Sequence, residues 1–289
     1  MALLIDALCG EPPALFHPVV WMGRVLDWLE ARAPRHEVAR LFYGTFVALA
    51  VPLGWAWLAR TVERFAPWPV HALALKPAFA GRALLDAGRR VEAALDSYQV
   101  EPARRELRGL VSRPTASLDA PLIAAAAIES LAENLVDSWF APLLAYSLFG
   151  LSGAYAYRAV NTADAMWGYR TPRYERLGKA AARLDDLLNL VPARLGALML
   201  CCSAGRRWRV ALETWHTDGR LTTSPNAGQT MACAAGALGV RLEKPEQYVL
   251  NAAAPLPGTE SIARARTLVA RAMRLAAGLA MLIRLIRRG

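Results

Sequence analysis

The chain has 289 residues, 55% hydrophobic and 20% charged, with a mean hydropathy of +0.23, more apolar than an ordinary soluble domain and more charged than a chain sunk wholly in lipid. Its net charge of +10 comes mostly from arginine scattered along loops, a pattern suited to cytoplasmic loops beside anionic lipid and to phosphorylated substrates. No zinc-finger spacing or single-strand-binding signature accompanies that charge, which sets nucleic-acid binding aside.

At the start, Asp6 and Glu11 stand where a signal peptide would have its basic and apolar regions, so no cleavable leader is expected and insertion relies on internal spans. Gly10-Glu-Pro-Pro forbids a regular helix and predicts a structured loop carrying His17 and Arg24. His17 is either an acid/base or a structural histidine. Leu41 to Ala59 is uncharged and closed by Arg40 and Arg60, and it predicts a membrane span that Pro52 kinks.

From Arg60 to Asp119, Leu84, Leu85, Val91, Ala94 and Leu95 recur at near-helical spacing opposite Arg82, Arg89, Arg90 and Glu92, predicting amphipathic cytoplasmic or interfacial helices. Ser138 to Tyr157 has no charge and aromatic margins, and it predicts a second span with Pro142 and Gly150 inside. Ala120 to Ile128, Leu187 to Gly205 (broken by Arg194) and Ala227 to Val240 are half-spans, re-entrant helices or spans packed in a bundle. Ile262 to Arg288 sets Arg264, Arg266, Arg271, Arg274 and Arg284 among apolar residues, the pattern of an interfacial helix.

Strand signals are nearly absent, and no Gly/Ser-rich linker divides the chain. The expected fold is an all-α, polytopic integral membrane helical bundle with amphipathic cytoplasmic and interfacial helices, one domain over residues 1–289. Cys9, Cys201, Cys202 and Cys233 lack metal-ligand spacing and are expected as free thiols.

The polar residues beside these apolar runs are candidates for chemistry. Glu129, Glu133 and Asp137 at i, i+4 and i+8 form one carboxylate stripe on a helix, suited to Mg²⁺ serving a phosphate substrate, or else a solvated face paired with Arg158 or Arg183. Arg158, Asn161 and Asp164 share a face if the second span's helix continues past Tyr157; they bind an anion, or cap and anchor the span. Lys179 and Arg183 precede Asp185 and Asp186, which as neighbours point to different sides of a helix. Ser224-Pro-Asn226-Ala-Gly runs from a turn into a small-residue helix and either holds an anion at the helix start or simply caps it.

Taken in order, Gly10-Glu-Pro-Pro with His17-Pro-Val, Glu129-Ser-Leu-Ala-Glu-Asn, Tyr157-Arg-Ala-Val-Asn-Thr-Ala-Asp-Ala-Met, Ala181-Ala-Arg-Leu-Asp-Asp, Ser224-Pro-Asn-Ala-Gly and Ala235-Gly-Ala-Leu-Gly-Val-Arg-Leu resemble the adenosylcobinamide-phosphate synthase family of cobalamin biosynthesis (CobD/CbiB). The resemblance covers nearly the whole chain. It implies a multi-pass protein of the inner, cytoplasmic membrane with its active site facing the cytoplasm. The implied reaction is ATP- and Mg²⁺-dependent amide formation between adenosylcobyric acid, a corrinoid, and (R)-1-amino-2-propanol phosphate or a related amino-alcohol phosphate. Under it, Glu129, Glu133, Asp137 and Asp164 supply metal ligands, and Arg158, Arg183 and Lys179 engage phosphates. Glu129, Glu133, Asp164, Arg183, Asp185 and Asp186 form the catalytic set, and His17, Arg24, Asn161, Ser224 and Asn226 complete the substrate pocket. Membrane lipid, a homo-oligomer or other enzymes of the pathway are the expected partners.

Two departures stand out. Relatives often read Arg-Asp-Thr and Leu-Asp-Glu where this chain has Arg113-Pro-Thr and Leu118-Asp-Ala, removing two acids near the expected site. The chain also starts only a few residues before Asp6, so its first span is expected to be short or shifted. The competing classes are a corrinoid or small-molecule transporter, or an assembly scaffold, in which buried charges form an ion path or subunit contacts. A soluble helical binding protein would instead make both uncharged runs core helices.

Overall fold

The computed structural model describes residues 1–287. In chain order the helices are α1 (Ala2–Cys9), α2 (Pro18–Glu30), α3 (Glu37–Phe65), α4 (Trp68–Leu75), α5 (Gly81–Asp96), α6 (Val100–Leu107), α7 (Ala120–Leu135), α8 (Ala141–Trp167) and α9 (Lys179–Leu188). There follow α10 (Leu190–Ser203), α11 (Trp208–Asp218), α12 (Ala227–Leu238), the strands β1 (Leu242–Lys244) and β2 (Tyr248–Leu250), and α13 (Thr259–Ile286). The two strands form an antiparallel pair in which Lys244 faces Tyr248. They are a small addition, among the described residues, to a fold that is otherwise helical as expected.

The predicted span Leu41–Ala59 lies inside α3, which carries Pro52 within its helix. Phe42, Phe46, Leu49, Leu53 and Trp57, spaced three or four residues apart, are half to mostly exposed. A continuous apolar stripe left uncovered along a helix of this length suits hydrocarbon rather than water. The second predicted span, Ser138–Tyr157, falls within an apolar helical run from Ala120 to Trp167, whose first part takes in Ala120–Ile128. These two helical runs are long and apolar enough to cross a membrane, and α9 with α10 makes a third if the pair counts as one span.

The 120–167 run is not one smooth α-helix. Val136–Phe140 is a π-turn, a wider loop of backbone that often marks a functional position. Gly150 breaks the run again at φ 70°, a left-handed conformation open to glycine at little cost.

The chain divides into two compact units. The first takes Met1–Ala80, Ala141–Asn189 and the tail from Ala280; the second takes Gly81–Phe140 and Leu190–Leu279. In the first, Leu26, Val47, Ala48, Ala163, Trp167, Leu177 and Ala181 form a core in which α2, α3, α8 and α9 meet. The core of the second draws on Ala124–Ile128, Leu131 and Ala232–Ala235, whose many small side chains let α7 and α12 approach their neighbours closely.

The helix predicted for Ile262–Arg288 forms, but its apolar side is used inside the protein (Arg288 lies outside the described residues). Ile262, Ala265, Leu268, Val269, Ala272, Met273 and Ala276 are buried. Arg266 pairs with Glu92 at 2.6 Å, and Arg264 Nη2 donates to Leu238 O. An interfacial helix would have kept that stripe for lipid; here α13 packs it away, with Leu275 and, near its end, Met281, Leu282, Leu285 and Ile286 exposed. The four cysteines are free, with Cys201 and Cys233 buried.

Gly44 marks the tightest approach of α3 to the chain before α9, where an added Cβ would overlap the carbonyl oxygen of Leu177. Backbone cannot yield as a side-chain tip can, so Gly44→Ala is expected to cost about 1–3 kcal/mol of overpacking strain. Thermal unfolding in detergent checks this: a clear fall in Tm is predicted, whereas Gly54→Ala, where nothing lies within 4 Å of the added Cβ, leaves Tm nearly unchanged.

Candidate functional site

The second unit buries a mixed-charge cluster. Glu129 is on α7 among alanines, with a side chain only 7% exposed, and Arg113 reaches it from the loop before α7, Nη2 donating to Oε2 at 2.7 Å. That loop is held at several points. Ser130 Oγ donates to Leu110 O at 2.7 Å, Arg104 Nε donates to Leu118 O at 2.9 Å, and Asp119 caps α7 by accepting from Leu122 N. Pro114 favours extended backbone at Arg113 and so helps aim it.

Around this pair lies a cavity of about 130 Å³ lined by Leu110, Ser112, Arg113, Glu129, Glu133, Met231, Lys244 and Tyr248, among others. The β-pairing places Lys244 opposite Tyr248 on one face of the ribbon. Burial first, and then the negative charge of Glu129, push the Tyr248 phenol well above its ordinary value, so it stays a protonated donor. Glu129 Oε1 and the Nε and Nη1 atoms of Arg113 are buried without a hydrogen-bond partner. Buried polar groups are seldom left so, and such orphaned atoms need an explanation.

Sequence reasoning finds Glu129 and Glu133 and correctly sets them one turn apart. It misses Arg113, Lys244 and Tyr248, which come from distant stretches with no local signal. It also misplaces the partner of Glu129, which is Arg113 rather than Arg158 or Arg183. Asp137 falls in the π-turn, where the wider backbone spiral carries it off the α-helical register that the three-carboxylate stripe assumes.

Among the described residues, no three His, Cys, Asp or Glu side chains gather as a metal-binding group. Glu129 and Glu133 do fit the other mode of Mg²⁺ binding, in which one or two carboxylates hold an ion that arrives with substrate phosphate.

A second polar network belongs to the first unit. The helix of α8 continues past Tyr157, so Arg158 and Asn161 share a face as expected, with Arg158 Nη1 donating to Asn161 Oδ1 at 3.1 Å. Asn161 Nδ2 donates to Asp185 Oδ1 at 3.2 Å, and Asn189 Nδ2 to Asp185 Oδ2 at 2.9 Å. Tyr157 closes the chain on Asn189 Oδ1 at 2.9 Å. Asp185 is buried and Asp186 half-buried, the two sides expected of neighbours on a helix. Asp164 is half-buried one turn beyond Asn161, while Lys179, Arg183 and Arg24 stand exposed.

The N-terminal loop builds a third cluster around a lysine that sequence reasoning misses. Lys76, only 4% exposed at its side chain, pairs with Asp6 at 3.1 Å and Glu11 at 2.7 Å, and Glu11 Oε2 meets His17 Nε2 at 3.0 Å. His17 Nδ1 accepts from the Val19 N–H at 3.2 Å, so the proton of the neutral ring sits on Nε2 and points at Glu11. Both ring nitrogens are thereby engaged. Burial alone would raise the Glu11 carboxyl, but the hydrogen bonds from His17 and Lys76 outweigh it and hold the group below its ordinary 4.5.

At the start of α12 the loop satisfies its own helix. Ser224 Oγ accepts from Asn226 N at 3.2 Å, Thr222 Oγ1 from Gly228 N at 3.1 Å, and Asn226 Oδ1 takes the Arg194 guanidinium at 2.9 Å. The capped loop, not the open anion site, is the form seen. Beside it a larger cavity of about 510 Å³ is lined by Arg194, Leu212, Trp215, His216, Arg220 and Gln229.

A mainly helical chain with helices long and apolar enough to cross a membrane is compatible with a membrane protein. The chain belongs to the CobD/Cbib protein family, whose model matches residues 1–276. It is 41% identical to the "Probable cobalamin biosynthesis protein CobD" of Pyrococcus furiosus over 86% of this chain and 85% of that one. The "Cobalamin biosynthesis protein CobD" of Dehalococcoides mccartyi is also 41% identical, over 87% and 85%. That of Rhodobacter capsulatus is 39% identical over 99% and 95%. No solved structure matches. A role in cobalamin biosynthesis follows from the family.

Lys76→Met removes the ammonium from two carboxylates, one of them buried, and breaking such a pair costs about 3–5 kcal/mol; detergent-solubilised variant protein is predicted to unfold at markedly lower temperature. For Glu11, whose carboxyl is held below 4.5 in the folded state, the linked stability is fully present above pH 4.5 and disappears as pH falls through the folded value. Unfolding temperature measured against pH below 4.5 should therefore fall less steeply in Glu11→Gln than in the parent.

Proposed function

We propose that this protein is an adenosylcobinamide-phosphate synthase, joining the propionate carboxyl of adenosylcobyric acid to the amine of (R)-1-amino-2-propanol phosphate, or a related amino-alcohol phosphate, with ATP and Mg²⁺. The observation that carries this reading is the Arg113–Glu129–Glu133–Tyr248–Lys244 cavity, found in a chain of the CobD/Cbib family.

Amide formation at neutral pH needs an activated carboxylate and a neutral amine. The γ-phosphoryl group of ATP passes to the propionate oxygen, giving an acyl phosphate and ADP. The amine nitrogen then attacks the carbonyl carbon; the C–N bond forms, the C–O bond to phosphate breaks, phosphate leaves, and the amine proton goes to a carboxylate. Glu133, one helical turn from Glu129, suits that last role. Arg113, Lys244 and a Mg²⁺ ion brought in with phosphate offset the negative charge that builds up. The larger cavity supports ATP use, because the rings of Trp215 and His216 offer faces for a base while Arg220 offers a guanidinium group to phosphates.

The protein is further proposed to cross the cytoplasmic membrane several times, with the reaction on the cytoplasmic side. The exposed stripe on α3 and the second helical run support that reading. Homo-oligomers or other enzymes of the pathway are proposed as partners.

The test is turnover by detergent-purified protein given adenosylcobyric acid, aminopropanol phosphate, ATP and Mg²⁺, with each omitted in turn and the corrinoid followed by mass. Condensed product is expected only in the complete mixture, and Glu133→Gln should lower its rate. Corrinoid that binds but stays unchanged in the complete mixture would favour a carrier or scaffold instead.

A further inference from the structure

The small cavity is built from complementary halves. Glu129 supplies a buried carboxylate whose Oε1 has no well-formed hydrogen bond, the neighbouring Tyr248 phenol being turned to Met231 Sδ at 3.8 Å, and Arg113 supplies two buried N–H positions, on Nε and Nη1, that donate to nothing. Their mutual contact uses only Oε2 and Nη2. Both ends of the pair thus retain unused capacity, of opposite sign, beside one void.

A carboxylate oxygen is completed by a cation or an N–H donor, and guanidinium N–H groups by an oxyanion. Glu133 extends the acceptor side along α7. Lys244, opposite Tyr248 on the β-ribbon, extends the cationic side, and the Tyr248 phenol adds a neutral donor. A ligand with charge of only one sign would satisfy one half and face repulsion from the other. A volume of about 130 Å³ is also well below the roughly 300–1,000 Å³ of pockets for drug-sized ligands. Neither a whole nucleotide nor a whole corrinoid fits such a space.

We infer that this cavity is the subsite for a small zwitterion, with its ammonium on Glu129 and Glu133 and its phosphate on Arg113 and Lys244. The inference rests on the ligase reading for the biological identity of the zwitterion, the amino-alcohol phosphate, but not for the chemistry of the cavity. It also assigns a specificity role to Lys244. As the half-exposed cation beside the buried Arg113, Lys244 distinguishes a phosphorylated amino alcohol from the free alcohol, whose hydroxyl gives it nothing to pair with.

The experiment is calorimetric titration of the full-length protein in detergent, without corrinoid or ATP. The probes are aminopropanol phosphate, unphosphorylated aminopropanol and inorganic phosphate. The zwitterion is expected to bind at least about tenfold more tightly than either fragment, since each charged end contributes charge-assisted hydrogen bonds. Glu129→Gln and Lys244→Met should each weaken it by about tenfold.

Lys244→Met keeps the test usable if changes at the buried pair unfold the protein, because Lys244 is half-exposed and makes no part of that pair. In Lys244→Met the preference for phosphorylated over free aminopropanol should also shrink. Phosphate alone binding as tightly as the zwitterion, or zwitterion affinity unmoved by Lys244→Met in folded protein, overturns the subsite. Zwitterion binding with these sensitivities, but no amide product when all substrates are present, upholds the subsite and removes the ligase reading. Product formation with binding indifferent to the cavity variants does the reverse.

Discussion

A charge removed from water must be paired, and in the second unit one such pair, Arg113 with Glu129, constrains its surroundings. Glu129 sits in the most alanine-rich part of α7, where small side chains draw neighbouring elements close and exclude solvent. An unpaired carboxylate there would cost several kcal/mol, so the loop from Arg108 to Asp119 is obliged to deliver a guanidinium. Its internal ties, Arg104 to Leu118, Ser130 to Leu110 and the Asp119 cap, hold it where it does so. The β-ribbon then brings a lysine and a tyrosine to the same void. Packing alone would favour filling that void with apolar groups; a charged lining with orphaned atoms makes sense as a compromise with function.

The two units suggest different emphases. The first carries α3, with its uncovered stripe of Phe42, Phe46, Leu49, Leu53 and Trp57, and stabilises its N-terminal loop through the buried Lys76 cluster. The second holds both cavities described above. The chain passes between the units beside the π-turn that ends at Phe140 and again after Asn189, which the network around Asp185 engages.

Much of the fold was legible because hydrophobic runs bounded by arginine follow from the cost of burying charge in lipid, which acts locally along the chain. Leu41–Ala59 and Ser138–Tyr157 both fall within long apolar helices for that reason. The fate of the C-terminal helix was not legible: its arginines resemble a lipid-facing pattern, but Arg264 and Arg266 find partners far away in sequence, at Leu238 and Glu92. The same limit applies to the site. Glu129, Glu133, Arg158, Asn161 and Asp185 announce themselves by helical spacing, whereas Lys76, Lys244 and Tyr248 become informative only once the fold brings them together. Arg113 is the sharpest case, since no pattern in its own loop announces that it places a guanidinium on Glu129.

A double-mutant cycle read in two ways separates retention of the Arg113–Glu129 pair for chemistry from retention for stability. Arg113→Met, Glu129→Met and the double variant would be compared for thermal unfolding and for formation of the corrinoid amide. Each single change should destabilise by about 3–5 kcal/mol, and the double change should recover most of that loss, because no buried charge is then left alone. All three should nevertheless fail to make product. A double variant that regained turnover along with stability would contradict the account and reduce the pair to a structural bridge.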